Sequence, residues 1–241
     1  MIRKLSSTKF LVLFGTSVFL LGLLFINTCK RIYLDPNEFT EGKVVYQISY
    51  PELDTNHLFE PFLPHKMILT IKGKKLKLET KTGIGLFQTG FTADLRDKEA
   101  ISHLKLINVR YKCNMDTEYF RVENEENPYQ VVTTDSMSTY LGEAVSFAKV
   151  SYPWSDEPSW LMMSSNRYAE NINFHNGFFE NNKLLLEYEQ RFQGVVMHFK
   201  AIEFIEESVS KNDFKLDSDY QELSRVAFLD ELKKTLSPLA E

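Results

Sequence analysis

The chain has 241 residues, 43% of them hydrophobic and 25% charged, enough for one domain with a sizeable core or at most two small ones. A net charge of −5 excludes a molecule drawn as a whole to nucleic acid, and 2 cysteines, Cys29 and Cys113, exclude a disulfide framework. Aromatic residues at 13%, with 19 Phe and 11 Tyr, suit strands with one half-buried face.

The first segment has the layout of an export leader: Arg3, Lys4 and Lys9, an apolar run from Phe10 to Ile26, then Asn27, Thr28 and Cys29. At a rise of ~1.5 Å per residue this run sits near the lower limit for crossing ~30 Å of hydrocarbon. Two fates follow from it. It stays as a transmembrane anchor with its basic end in the cytoplasm, or it is cut before Cys29 and the cysteine is lipidated. The second resembles a bacterial lipoprotein signal: Ile26 is aliphatic three residues before the cysteine, whereas Thr28 is larger than the usual small residue and Asn27 is polar. Simple cleavage to a soluble protein lacks a small-x-small site. All three place the residues after Arg31 outside the cytoplasm. The expected organisation is therefore a leader or anchor over 1–31, a polar tether over 32–41 and a single domain over 42–237.

From Gly42 the period becomes two. Val44, Tyr46, Ile48 and Tyr50 share one side of a strand that Pro51 ends. Met67, Leu69 and Ile71 alternate with lysines and threonine, the turn is at Lys72-Gly73-Lys74, and Leu76, Leu78 and Thr80 return, making a hairpin with one apolar and one basic face. Leu86 to Thr92 predicts a strand bent or bulged at Gly90. Two strands follow around Leu104 to Ile107 and Val109 to Cys113, then an acidic loop from Tyr119 to Pro128. Ala144 to Val150 predicts a strand, Trp160 to Met163 a short apolar run, and the five asparagines between Asn171 and Asn182 a loop. Leu184, Leu186, Tyr188 and Phe192 share one parity, Gln193-Gly194 turns the chain, and Val195, Met197, Phe199 and Ala201 return. Ala227 to Leu236 predicts a closing helix with Phe228, Leu229, Leu232 and Leu236 on one stripe. The fold class is mainly β: a strongly curved antiparallel sheet, after an N-terminal apolar helix, with a few short helices. Its apolar face needs a cover, from helices and loops, a second sheet or an apolar ligand.

The order of segments resembles the GLPGLI-type and related envelope domains of unknown function common in Bacteroidota. The resemblance rests on Gly42-Lys43-Val44-Val45-Tyr46, Ile71-Lys72-Gly73-Lys74-Lys75, Ser138-Thr139-Tyr140-Leu141-Gly142, Leu184-Leu185-Leu186-Glu187-Tyr188 and Phe214-Lys215-Leu216-Asp217-Ser218-Asp219-Tyr220. It spans about Glu41 to Leu236. It implies a half-open β-barrel similar to lipoprotein carriers of the LolA/LppX type, in which a curved sheet wraps an apolar cavity that holds lipid tails. It implies no catalytic residue and no metal ligand.

The residues themselves agree in offering little chemistry. His57, His65, His103, His175 and His198 are not spaced as metal ligands, Cys113 has no adjacent histidine, and no serine elbow or phosphate loop is present. Lys66, Lys72, Lys74, Lys75, Lys77 and Lys81 form a basic hairpin that suits anionic headgroups or simply a solvated strand face. The expectation is a non-enzymatic, membrane-tethered protein on the periplasmic side of the cell envelope that binds a lipid chain or other apolar ligand. Cys29 is the expected lipid attachment site. Val44, Tyr46, Met67, Leu69, Leu76, Leu78, Leu186, Tyr188, Val195 and Met197 are the expected cavity lining. No cofactor, metal or nucleic acid is expected. The alternative is an assembly factor that fills its own core and binds another envelope protein through its sheet surface; a hydrolase is the third reading.

Overall fold

The computed structural model describes residues 38–53, 63–82, 87–97, 99–116, 119, 129–192 and 194–236. All of them belong to one compact unit, Asn37–Glu241. The leader, with Cys29, lies outside the described residues, as does most of the acidic stretch expected between Tyr119 and Pro128. Among the described residues no helix is long and apolar enough to cross a membrane.

Twelve strands form one sheet: β1 (Glu41–Ser49), β2 (Lys66–Lys72), β3 (Lys75–Lys81), β4 (Phe87–Asp94), β5 (Glu99–Leu106), β6 (Val109–Asp116), β7 (Gln130–Tyr140), β8 (Glu143–Ser151), β9 (Ser159–Tyr168), β10 (Lys183–Phe192), β11 (Val195–Ile205) and β12 (Gln221–Glu222). A 3-10 turn spans Lys211–Phe214, and the helix α1 (Arg225–Leu236) closes the described chain. The spatial order is β12-β6-β5-β4-β3-β2-β1-β11-β10-β9-β8-β7, so two antiparallel meanders are joined by the pairing of β1 with β11. The pairing of β12 with β6 is parallel. The sheet is not closed: β12 and β7 are its edges.

The alternation of the sequence decides which face is buried. Val44, Tyr46 and Ile48 on β1, Met67, Leu69 and Ile71 on β2, and Leu76 and Leu78 on β3 belong to one continuous core with Leu184, Leu186, Tyr188 and Phe199. The sheet must curl to bring this about. Tyr140, at the end of edge strand β7, donates its hydroxyl to the Ala201 carbonyl on β11 at 2.7 Å. Those strands are four steps apart, roughly 19 Å in a flat sheet at ~4.8 Å per step, beyond the reach of one tyrosine. Phe192 on β10 likewise packs on the cluster formed by Leu104, Cys113, Met115, Phe228 and Leu232, which joins β5, β6 and α1. Tyr140→Phe removes one half-buried cross-sheet bond, and a loss of about 1 kcal/mol in urea unfolding is expected; an unchanged midpoint would show that the bond adds nothing to stability.

The loop 169–182 fills part of the concave face. Ile172, Phe174 and Phe178 are buried in it, with the Phe174 ring edge-on to Phe91 at 5.4 Å and Phe178 edge-on to Tyr188 at 6.2 Å. The asparagines hold its backbone: Asn173 donates to the carbonyls of Asn181 and Lys183, and Asn176 accepts from the amide of Phe178.

Several sequence expectations are corrected. Strand β4 pairs with β3 and β5 in unbroken register through Gly90, so there is no bulge there; register shifts fall instead at Val45/Tyr46 on β1, on β7 and between β9 and β10. Strand β7 has no counterpart in the sequence reading. The tether's end is docked rather than free: Phe39 is buried, and its amide donates to the Tyr168 carbonyl at 2.8 Å. The strand begun at Trp160 runs on to Tyr168 instead of ending at Met163.

Candidate functional site

The curl leaves a cavity of about 530 Å³ on the concave face. Its apolar wall comes from Met67 and Leu78 on β2 and β3, Phe91 on β4, Tyr188 on β10, Val195 and Met197 on β11, and Phe228 and Leu232 on α1. α1 starts with Ser224, whose hydroxyl accepts from the Ala227 amide at 3.3 Å, and lays Phe228 and Leu232 across Leu104, Cys113 and Met115. The volume falls within the roughly 300–1,000 Å³ range of small-ligand sites.

The ten residues expected to line a cavity divide into two sets. Met67, Leu78, Tyr188, Val195 and Met197 border it. Val44, Tyr46, Leu69, Leu76 and Leu186 do not: they are at most 4% exposed and sit in the packed core. Tyr46 donates its hydroxyl to the Leu185 carbonyl at 2.7 Å, and burial beside Tyr188 pushes its pKa well up.

One end of the cavity is polar; of its residues the sequence alone singles out Trp154, as either a cavity mouth or ordinary core, and not Tyr152, His175 or Gln190. Trp154, Tyr152, His175 and Gln190 all border it. The Tyr152 hydroxyl donates to the Glu189 carbonyl at 3.1 Å, and the Trp154 ring stacks on Tyr152 at 4.6 Å. The Gln190 carboxamide donates to the His175 carbonyl at 3.4 Å. These contacts gather the loops after β8 and β9 onto consecutive residues of β10. Among the described residues, Trp154 Nε1 is buried with no hydrogen-bond partner, while the His175 ring is bonded to the Ile172 main chain. Burial lowers the His175 pKa to about 4, with the Ile172 carbonyl opposing part of the shift, so the ring is neutral near neutral pH. Trp154 and His175 lie in loops without periodicity, and only the topology brings them together.

Other candidate chemistry resolves into structure. Lysines of the basic hairpin are partnered: Lys72 with Glu41, Lys74 with Glu170 and Lys77 with Glu79, at 2.7, 3.1 and 3.1 Å. The Lys72 bond, with the Val209 amide, holds the Glu41 carboxyl below the usual range. Cys113 points into the core while its neighbour Lys112 takes the other face and reaches Glu222 at 3.6 Å; burial raises the thiol pKa, and the Arg225 cation opposes only part of that shift. Ser49, His198 and Glu187 form a row across β1, β11 and β10, with contacts of 3.3 and 3.1 Å. This row has the order of a serine–histidine–carboxylate relay. It lies on the face opposite the cavity, Lys200 shares the carboxylate at 3.0 Å, and main-chain amides in a sheet are spent on ladder bonds rather than turned towards an oxyanion. It is a cross-strand polar ladder. Among the described residues no group of histidine, cysteine and carboxylate side chains could hold a metal ion.

No protein-family model and no curated protein matches the sequence. A solved structure of PNGF-II is similar over 80% of this chain and 32% of that one, with a TM-score of 0.48 and 12% identity. The chain thus spans about a third of that protein, and at this level the likeness carries no argument about fold or function.

Proposed function

We propose that the protein is a non-enzymatic carrier that holds a hydrophobic ligand or lipid chain inside a half-open barrel, tethered on the periplasmic side of the membrane by its leader or by lipidated Cys29. The observation that carries this reading is the cavity of about 530 Å³, bordered by Met67, Leu78, Phe91, Val195, Met197 and Phe228. Its side chains would leave apolar surface in water, and at roughly 25 cal/mol per Å² a hydrocarbon chain gains by covering it. A second reading, an assembly factor that binds another envelope protein, draws its support from edge strand β7, where Val131, Val132 and Met137 are 42%, 63% and 69% exposed.

Native mass spectrometry of the purified full chain should find a co-purifying lipid-sized adduct. Leu78→Trp places an indole in the cavity. At least a tenfold loss of lipid affinity is expected; because Leu78 is a core residue that also borders the cavity, the added volume should cost about 1–3 kcal/mol without unfolding the chain. Unchanged lipid binding in Leu78→Trp, or no binding by the parent chain, would defeat the carrier reading.

A further inference from the structure

A row of cations borders the end of the sheet where the cavity lies, and we infer that this rim docks on an anionic lipid bilayer; the contact rests on the carrier reading for its purpose, which is ligand exchange. Three observations carry the assignment. First, the strand register lines the cations up. Lys66 opens β2 and stands opposite Lys81, the last residue of β3; Lys81 is opposite Gln88, Gln88 opposite Lys105 and Lys105 opposite Arg110. Their neighbours Met67 and Leu104 are buried on the concave side, so the row takes the convex side. Like charges directly opposite each other in a sheet repel. Arg110 is held by Asp217 and Asp219, but among the described residues no carboxylate pairs with Lys66, Lys81 or Lys105. Lysines farther down the hairpin differ: Lys72, Lys74 and Lys77 have carboxylate partners, and Lys75 stands opposite Asp94. The described acidic residues at the rim, Glu52, Asp156, Glu157 and Glu189, lie after β1, after β8 and on β10, outside the row.

Second, the row ends at an exposed apolar turn. Ile107 and Asn108 join β5 to β6 beside Lys105 and Arg110, and Ile107 and Val109 are 66% and 42% exposed. Ile107 has a φ of 38°, a left-handed conformation that a β-branched residue rarely adopts. Strain kept at an exposed position is a mark of a functional surface. Apolar side chains flanked by lysines suit a bilayer interface, where the first enter the acyl boundary and the second meet anionic headgroups.

Third, the cavity belongs to the same end. Its lining takes Tyr50 just past β1, Met67 from the start of β2, Phe87 first on β4, and Phe192 and Val195 on either side of the β10–β11 turn. The nine residues of β1 separate this end from the docked Phe39 by roughly 30 Å at ~3.3 Å per residue. Contact of the rim with lipid is therefore a separate event from insertion of the leader.

The full chain carrying Ile107→Cys and Cys29→Ser, labelled at the turn with the environment-sensitive fluorophore NBD, tests this; Cys113 is 2% exposed and stays unlabelled. Vesicles of phosphatidylcholine alone should leave the label in water, even where the leader inserts. Vesicles that include phosphatidylglycerol should raise and blue-shift its emission, and high salt should reverse the change. A lysine at an anionic surface is worth about a fivefold change in such an equilibrium. Lys66→Gln, Lys81→Gln and Lys105→Gln together should therefore lower the docked-to-free ratio by at least about tenfold. An equal rise on neutral vesicles, a triple variant that docks as the parent does, or no rise on either vesicle overturns the docking surface, the last leaving the row to an acidic protein. Native mass spectrometry of the same labelled chain separates the two readings. A lipid adduct without a rise leaves the carrier standing and the docking surface overturned; a rise without an adduct leaves the docking surface standing and the carrier overturned.

Discussion

Gly90→Ala should destabilise the domain by more than about 2 kcal/mol, in the class of substitutions that force backbone to move. A Cβ at Gly90 would lie 2.0 Å from the Leu78 carbonyl oxygen and 3.0 Å from the Glu79 Cα, so the obstruction is main chain and cannot rotate away. The residue sits mid-sheet, paired with Glu79 on one side and His103 on the other, and a shift there disturbs two ladders together. Two other glycines calibrate the result. Gly73 and Gly142 have φ of 58° and 81° with no atom within 4 Å of an added Cβ. Alanine at either meets only the left-handed backbone penalty of roughly 1–2 kcal/mol. Urea unfolding of the three variants should therefore rank Gly90→Ala lowest in midpoint. A Gly90→Ala midpoint within experimental error of the parent would mean that β3 and β4 do not approach as closely as described.

Gly90 also shows how far the sequence could be read. A glycine inside a strand pattern signals either a bulge or a close backbone approach, and nothing local separates them; pairing partners do. Strands with strict alternation were legible, and with them the inward parity of Met67, Leu69, Leu78 and Tyr188, because period two is a property of the residues themselves. Strand β7 was not legible. Its residues are nearly all exposed, so no buried parity marks the segment, and its pairing with β8 is fixed by a long-range ladder. The same reasoning explains the divided lining. Leu76 and Leu78 are equivalent in sequence, both inward on β3 and both in the core, yet only Leu78 also borders the cavity. What separates them is where the loop carrying Phe174 and Phe178 descends on the concave face, and how tightly the sheet curls beneath it. Both are set by contacts between residues far apart in the chain. The polar end of the cavity is further out of reach, since Trp154 and His175 meet only through β10.

Acid should weaken the fold well above the pH at which its carboxylates protonate, and His103 is the group responsible. Its side chain is 0% exposed on the convex face of β5, and among the described residues neither ring nitrogen has a hydrogen-bond partner. Tyr220, from the segment leading into β12, covers it edge-on at 5.9 Å. Arg110 anchors that segment through Asp217 and Asp219 and lies 6.0 Å over the Tyr220 ring. Burial lowers the His103 pKa from 6.5 to about 4; Glu79 on β3 opposes the shift while Lys77 and Lys81 on the same strand add to it, and Lys112 is its cross-strand neighbour on β6. The sign follows from proton counts. Between pH 6.5 and about 4 the unfolded chain binds a proton at this histidine and the folded chain does not. Stability is therefore fully present above the unfolded pKa and falls as pH drops through that window. From pH 7.5 to pH 5 the loss is about 2 kcal/mol at this one site, taking ~1.36 kcal/mol per pKa unit. His175, also lowered to about 4, adds a loss of the same sign. His103→Phe keeps the edge-on ring packing and removes two unpaired nitrogens, so it should be neutral or stabilising at pH 7.5. At pH 5 it should retain about 2 kcal/mol that the parent loses. Urea midpoints of parent and variant across this range check both expectations, and parallel pH profiles would show that His103 takes up its proton without cost in the folded state.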